Sequence, residues 1–200
     1  MTKIPVSFYQ NDDVELIAKS LLGSFLYSRV DNIITGGIIT ETEAYKGVED
    51  KASHSYGGKR TSRTEIMYGL GGISYVYLCY GVHYLLNVVT SGKNIPHAVL
   101  IRGIFATDGI NKMLERTDKI THNYKLTNGP GKLTKALGLN KLHNGIQFDG
   151  DVVWIEDRGL TIEGEDIIIG PRIGVDYAEE DAQLPYRYEL KYNNYIKKTP

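Results

Sequence analysis

The chain has 200 residues, of which 42% are hydrophobic and 24% charged, as is ordinary for a globular protein with a core of its own. Its formal net charge of −1 excludes nucleic-acid binding through the charge of the whole molecule, so such binding would need a local basic face. A single cysteine, Cys79, excludes an internal disulfide and a zinc site built from several thiolates.

We expect one domain over residues 1–200, because no repeat or low-complexity linker divides the chain. No apolar run is long enough to span a bilayer, and the first residues lack the apolar core of a signal peptide. We therefore expect an intracellular, cytoplasmic protein with no membrane partner, working at the nucleoid if its source is bacterial. Its 15 tyrosines, against 4 phenylalanines, favour planar, hydrated ligands that stack and accept hydrogen bonds.

The first predicted element is a helix that begins after Asp13. Asp12 and Glu15 stand in capping-box spacing, apolar residues recur at helical intervals, and Gly23 closes the segment. Two strand-like runs follow, and the Asp31-Asn32 pair between them predicts a tight hairpin.

The hairpin leads into Ile39–His54, with the sequence ITETEAYKGVEDKASH, where we expect the chemistry to lie. Period-two alternation places Glu41, Glu43 and Tyr45 on one face of a strand. Two carboxylates on one partly buried face raise the pKa of at least one of them, and that carboxylate can take a proton from water near neutral pH. The alternative is a solvated edge strand with two unperturbed glutamates.

The next segment, residues 55–72, is rich in glycine and carries Lys59, Arg60 and Arg63. Its composition predicts a mobile basic loop that approaches phosphates, with a solvated turn as the alternative. Residues 73–90 are aromatic and β-branched, which predicts two strands joined near Gly81. One side of this hairpin can carry four polar side chains, those of Tyr75, Tyr77, His83 and Asn87, although the tyrosines could also be sheet core.

Residues 98–104 predict a buried strand with one charge, Arg102, which needs a carboxylate partner such as Glu41 or Glu43. A helix capped by Asp108 follows, and Gly129-Pro130-Gly131 opens a short helix whose amides and Lys132 could hold a phosphate. The rest predicts short strands in a mostly antiparallel sheet, at residues 152–156, 167–169, 173–175 and 186–190.

Six motifs occur in a fixed order: ETEAYKGVEDKASH, GGKRTSRTEIMYG, YVYLCYGVHYLLN, AVLIRG, NGPGKLTKALG and PRIGV. Over nearly its whole length the chain thereby resembles the alkyladenine (3-methyladenine) DNA glycosylases of the mammalian type. The resemblance implies an α+β fold, a single mixed domain around a curved, mostly antiparallel sheet with peripheral helices. It also implies an enzyme that flips a damaged purine out of duplex DNA and hydrolyses its N-glycosidic bond.

The resemblance assigns catalysis to three residues. It implies that Glu43 is the general base, and that Arg102 and the main-chain carbonyl of Ile173 share its water. It implies that Tyr45 and Tyr77 sandwich the flipped base. The remaining implied roles are a base-edge contact at His54 supported by Tyr75, a guard against the guanine amino group at Asn87, and insertion into the helix by Tyr80.

The implied partner is double-stranded DNA with 3-methyladenine, 7-methylguanine, hypoxanthine or ethenoadenine, bound by a monomer without metal or organic cofactor. His54 alone could be a metal ligand, but no further His or Cys stands at ligand spacing. Two alternatives are a non-catalytic module that recognises distorted DNA and a transfer enzyme that uses the two glutamates on a small metabolite.

Two departures from the family pattern concern the inserting loop. Gly71-Gly72 replaces a Pro-Gly turn and Val82 replaces a methionine, which predicts a looser, smaller loop around Tyr80. The acidic segment Asp176–Asp181 could repel DNA near its own position.

Overall fold

The structure is a computed structural model that describes residues 2–191. Within this range nine strands form one sheet in which every pairing is antiparallel. The strands are β1 Thr2–Lys3, β2 Phe25–Val30, β3 Ile33–Tyr45, β4 Ser74–Cys79, β5 His83–Thr90, β6 His97–Asp108, β7 Val153–Asp157, β8 Ile167–Gly170 and β9 Arg187–Leu190.

Three short α-helices accompany the sheet, and the remaining helical segments are single 3₁₀ turns or short 3₁₀ runs. None of the helices in residues 2–191 combines the length and the apolar character needed to cross a membrane. The predicted α+β class, with a mostly antiparallel sheet and peripheral helices, is confirmed. The α-helices are α1 Val14–Ser20, α2 Ile110–Thr117 and α3 Pro130–Leu137.

The central strand of the sheet is β3, which has 13 residues and pairs with three other strands. One of its edges pairs with β6 from Gly36 to Tyr45, while its other edge pairs first with β2 and then with β9. The second half of β3 is therefore enclosed by β6 and β9. Glu43 lies opposite Leu100 of β6 and Arg187 of β9. The alternative of a solvated edge strand is wrong.

Register shifts along β3 and β6 show where the ladder is irregular. Glu41 pairs with Gly103 and Thr42 with Ile101, so Arg102 is an extra residue that no residue of β3 faces. Such a bulge bends a strand and changes the direction of its side chain. The bulge at Arg102 lies directly beside the two glutamates.

The two faces of the sheet bury different residues. Helices α1 and α3 cover one face, where Ile17, Leu133, Ile39 and Ile101 belong to one apolar cluster. Thr42 also points to that face and donates from its hydroxyl to the carbonyl of Ala18, at 2.8 Å. Because side chains alternate along a strand, Glu41, Glu43 and Tyr45 lie on the opposite face, as predicted.

Both predicted hairpins are present. Asp31 and Asn32 have φ angles of 55° and 59°, which is the conformation of a tight turn between two antiparallel strands. Strands β4 and β5 are joined at Tyr80 and Gly81, whose φ angles are 49° and 70°. A positive φ at a tyrosine is unusual, and it directs that side chain away from the sheet.

Three local predictions need correction. Helix α1 begins at Val14, so Asp13 rather than Asp12 is its N-cap and accepts from the amide of Leu16 at 2.9 Å. Asp108 ends β6 instead of capping α2, because its carboxylate accepts hydrogen bonds from Tyr27 and Thr107.

The third correction concerns residues 173–175, which form a turn rather than a strand. The amide of Ile173 in this turn points to the β3 face instead of joining a ladder. A lone Ile-Gly-Val triplet is too short for its β-propensity to decide the conformation.

We predict that Gly37→Ala lowers the free energy of unfolding by about 1–3 kcal/mol, the usual range for overpacking. An added Cβ would lie 2.1 Å from the carbonyl oxygen of Phe105, a main-chain atom that cannot move without breaking the sheet. The matched control is Gly170→Ala, also in a strand, where an added Cβ meets nothing within 4 Å. Urea denaturation measures both, and equal stabilities would contradict the close approach at Gly37.

Candidate active site

One row of side chains crosses the sheet on the face that the helices leave open. The register pairs Glu43 with Leu100, Leu100 with Asn87, and Asn87 with Tyr75. Directly paired residues of antiparallel strands project to the same face. The fold therefore brings three of the predicted site residues together, although they lie as far apart as residues 43 and 87.

Glu43 is the buried charge of this row, with a side chain that is 0% exposed. Its Oε1 accepts from the main-chain amide of Ile173 at 2.8 Å and lies 3.3 Å from Nη1 of Arg102. Its Oε2 accepts from the hydroxyl of Tyr45 at 2.8 Å and keeps a second lone pair. The carboxylate is thus held by two hydrogen bonds and one ion pair. Ile173 contributes its amide here, where the family resemblance implies a role for its carbonyl.

Arg102 is fixed by a second carboxylate. Its Nε donates to Oε1 of Glu41 at 2.9 Å, and Nη1 of Arg187 donates to the same oxygen at 2.9 Å. The prediction that Arg102 pairs with Glu41 or Glu43 is confirmed for both. Glu41 therefore balances two arginines, and Glu43 is left to one.

Burial raises the pKa of Glu43 above the ordinary value for a glutamate. Arg102, the amide of Ile173 and the hydroxyl of Tyr45 act against this rise, while the charge of Glu41 adds to it. A carboxylate with a raised pKa is suited to accept a proton from water near neutral pH. The arrangement thus has the chemistry of a general base.

Aromatic rings stand beside this carboxylate. The ring centroids of Tyr77 and His54 are 4.7 Å apart in an edge-to-face arrangement, and those of Tyr75 and Tyr77 are 5.2 Å apart. The hydroxyl oxygen of Tyr75 lies 2.8 Å from Nδ1 of His54, so the expected contact between these two residues is present. These rings form a rigid, polar-edged wall.

Arg63 lies in the cleft, over Tyr77. Its guanidinium carbon is 4.8 Å from the ring centroid of Tyr77, and its Nη2 is 3.3 Å from Nε2 of His54. Because a guanidinium can only donate, Nε2 of His54 is the acceptor and Nδ1 carries the proton toward Tyr75. Burial and then the nearby Arg63 lower the pKa of His54 to about 4, so this imidazole is neutral at pH 7.

The cleft has a volume of about 910 Å³, within the range of clefts that hold small organic ligands. Glu43 does not line it but lies directly behind Tyr45, Arg102 and Ile173, and Arg60 is also outside it. All the other predicted site residues line the cleft: Tyr45, His54, Lys59, Arg63, Tyr75, Tyr77, Tyr80, Asn87, Arg102, Lys132 and Ile173.

The basic residues near the cleft differ in how they are paired. Arg60 forms a bidentate ion pair with Glu65, with both N–O distances at 2.7 Å. At Arg60 this pairing fits the alternative interpretation of residues 55–72 as a solvated turn. Lys59 has no ion pair within the described part of the chain, and Lys132 at the start of α3 donates only to the Asn128 side chain, at 3.1 Å. Lys59 and Lys132 therefore remain free to meet an anion at the rim.

Tyr80 is the most exposed aromatic residue at the cleft, with 89% of its surface accessible, and Val82 beside it is 69% exposed. The Gly71-Gly72 pair lies before the other end of β4, where Gly71 packs against the main chain of Tyr9. Only Val82 therefore bears on the tip of the hairpin, and the expectation that Gly71-Gly72 loosens this tip is wrong.

The acidic segment is partly neutralised by Lys51, whose Nζ lies 2.5 Å from Glu179 and 2.7 Å from Glu180. The main-chain amide of Lys51 donates to Asp181 at 2.9 Å. Repulsion of DNA by this segment is therefore weaker than its composition suggests. The segment also supplies Tyr177, an exposed ring at the cleft that sequence reasoning did not single out.

A second feature that sequence reasoning missed is the buried arginine of the PRIGV motif. Arg172 is paired with Asp50, and their side chains are 0% and 1% exposed. The position of Arg172 next to the predicted site residue Ile173 was the signal that could have singled it out. Its partner Asp50 could not be found in this way, because it lies 122 residues away in the sequence. Among the described residues no group of three or more His, Cys, Asp or Glu could hold a metal ion.

Comparisons with known proteins identify the family of the chain. The family model described as "Methylpurine-DNA glycosylase" matches residues 7–194. A protein of Bacillus cytotoxicus named "Putative 3-methyladenine DNA glycosylase" is 44% identical over 205 residues, covering 98% of this chain and 100% of that protein. A Chlamydia felis protein of the same name is 45% identical over 188 residues, covering 94% of this chain and 95% of its own. The chain therefore belongs to the methylpurine-DNA glycosylase family and is a DNA glycosylase.

Proposed function

We propose that this protein releases damaged purines from double-stranded DNA by hydrolysing the N-glycosidic bond of a nucleotide flipped into the cleft. The substrates are the cationic purines 3-methyladenine and 7-methylguanine and, with more demand on the pocket, the neutral purines hypoxanthine and ethenoadenine. The observation that carries this proposal is Glu43, a fully buried carboxylate held by two hydrogen bonds and an ion pair at the edge of an aromatic cleft.

In the proposed reaction a water beside Glu43 attacks C1′ of the flipped nucleotide. The C1′–N bond breaks and its electron pair leaves with the purine, while a C1′–O bond forms and the water proton passes to Glu43. The developing positive charge on the sugar is stabilised by the nearby carboxylate. Arg102 holds this carboxylate, and its own charge is balanced by Glu41.

The aromatic residues hold the base in this proposal. A flipped purine stacks between Tyr45 and Tyr77, and such stacking stabilises a bound base by about 1–3 kcal/mol. Tyrosine faces also attract the cationic alkylated purines, which leave easily. Asn87, buried in the same row, guards the pocket against a guanine amino group in this proposal.

Tyr80 fills the gap that the flipped nucleotide leaves in the helix. Extrusion costs a few kcal/mol of stacking and pairing, and an exposed ring at a hairpin tip offsets part of that cost. One copy of the chain acts on one lesion in this proposal. The product is an intact strand with an abasic sugar, because water rather than an enzyme amine attacks C1′.

A module that only binds distorted DNA is the competing function. A buried carboxylate with its own set of donors costs several kcal/mol to desolvate, and DNA binding alone makes no use of it. Incubation with a duplex containing one damaged purine separates the two functions. Release of free base, with strand breaks only after hot alkali, supports the glycosylase, while binding without release supports the module.

We predict that Glu43→Gln reduces the single-turnover rate of base release by about 10²–10⁴-fold, the usual range for loss of a general base. The amide keeps the shape of the side chain but cannot take the proton, so affinity for the lesion duplex should change little. Glu49→Gln, an exposed glutamate beyond the strand, is the matched control. A wild-type rate in Glu43→Gln would exclude this residue as the base.

We predict that base release declines on the acid side with a midpoint above the ordinary glutamate pKa. The carboxylate form is the active one, and burial raises the pKa of Glu43, so activity is lost as the pH falls through that raised value. Titration of His54 causes no further change in rate above pH 5, because the pKa of His54 is lowered to about 4. Single-turnover rates from pH 4.5 to 9 measure this, and a flat profile would contradict the assignment.

We predict that lesion binding weakens with salt and that Lys59→Ala reduces the slope of log K against log salt by about one unit. Arg60→Ala is the matched control and should change the slope less, because Glu65 already neutralises Arg60. Fluorescence anisotropy of a labelled duplex at several salt concentrations gives both slopes. Equal slopes for wild type and Lys59→Ala would mean that Lys59 meets no phosphate.

A further inference from the structure

A buried ion pair lies behind the proposed catalytic carboxylate and outside the cleft. Its members are Arg172 and Asp50, on two loops that are far apart in the sequence. Removing two charges from water costs several kcal/mol for each ion, and a hydrophobic pair could fill the same space. The contacts of the Arg172–Asp50 pair therefore indicate what it contributes beyond filling space.

The guanidinium of Arg172 joins three segments of the chain. Its Nη2 donates to Oδ1 of Asp50 at 2.8 Å and to the carbonyl of Asp181 at 3.2 Å. Its Nη1 donates to Oδ2 of Asp50 and to the carbonyl of Ala44 at 3.0 Å. Ala44 lies between Glu43 and Tyr45, so one of these bonds ends on the main chain of the catalytic strand.

The two residues that donate hydrogen bonds to Glu43 both lie beside this guanidinium. Ile173, whose amide donates to Oε1 of Glu43, is the next residue after Arg172 in the chain. Tyr45, whose hydroxyl donates to Oε2, has its ring centroid 4.8 Å from the guanidinium carbon of Arg172. Arg102, which forms an ion pair with Glu43, is held separately by Glu41.

We propose that Arg172 and Asp50 are a positioning pair that holds the amide of Ile173 and the hydroxyl of Tyr45 on Glu43 and so orients this carboxylate toward the attacking water. The inference rests on the proposed function of Glu43 as the general base. Neither residue touches the substrate, so they act on catalysis through Glu43. They place its two hydrogen-bond donors, and Arg172 also interacts with it directly by charge, an interaction that Arg172→Lys keeps and Arg172→Gln removes.

The proposal has a consequence for pH dependence, because both donors favour the ionised form of Glu43. The other charged groups around Glu43 are Glu41 on its own strand, Arg102 on β6 and Arg187 on β9. These stay in place when Arg172 is changed. Loosening Ile173 and Tyr45 should therefore raise the pKa of Glu43 further, and the acid limb of the rate profile should move to higher pH.

Three variants test this: Arg172→Gln, the neutral pair Arg172→Gln with Asp50→Asn, and the conservative Arg172→Lys. The double variant leaves no unpaired buried charge, so it is the one to use if Arg172→Gln alone does not fold. The control is Arg116→Gln, which removes a partly buried arginine that donates to the carbonyls of Ala136 and Val30, away from the cleft. Thermal unfolding monitors all four.

Single-turnover release of hypoxanthine from a duplex, from pH 4.5 to 9, is the readout. We expect the acid limb to move up by about one pH unit in the neutral variants, with partial return in Arg172→Lys and no movement in Arg116→Gln. A folded neutral variant with a lower rate but an unmoved limb would overturn the positioning role. Failure of all three Arg172 variants to fold would also overturn it, because the pair would then serve only the stability of the fold.

The same experiment separates this inference from the function on which it rests. If the wild-type protein releases no base from any lesion duplex, the proposed function fails. If it releases base with an acid limb that Glu43→Gln abolishes, the function stands and the Arg172 variants decide the positioning role alone.

Discussion

The structure depends on a carboxylate that is fully removed from water in the middle of a β-sheet. An ionised group in such a place is tolerated only if donors replace its hydration. Glu43 obtains them from three directions: an arginine on β6, an amide from a distant turn and a hydroxyl on its own strand. The sheet carries Tyr45, the bulge directs Arg102 and the distant turn brings the amide of Ile173, so the site exists only when all three are formed.

The central position of β3 explains why this arrangement is possible. An edge strand would expose its side chains to solvent, whereas β3 is enclosed by β6 on one side and by β2 and then β9 on the other. The bulge at Arg102 directs a second charge to the same place. Side chains on strands are also held more rigidly than side chains on loops, which suits the role of general base proposed for Glu43.

Local chemistry in the sequence predicts those parts of the molecule that nearby residues determine. The Asp31-Asn32 turn, the alternation of Glu41, Glu43 and Tyr45, and the need of Arg102 for a carboxylate all follow from short-range rules and are present. The cap of α1 was misplaced by one residue because Asp12 and Asp13 are adjacent and either can cap the helix. The amide of Ile173 and the partner of Arg172 could not be predicted from spacing, since both contacts join segments more than 100 residues apart.

The two faces of β3 divide stability from chemistry. Ile39, Thr42 and Ala44 point toward the helices and are fully buried there, while the residues between them carry the charges. A change on the helix side would shift the strand and with it the carboxylate, because neighbouring side chains share one backbone. Residues such as Arg172 and Asp50 have the same dual character: they are buried like a core, yet their contacts end on the groups that hold Glu43. In this fold the residues that support the site are therefore part of the core. Mutations made to change packing should also be tested for an effect on the acid limb of the rate profile.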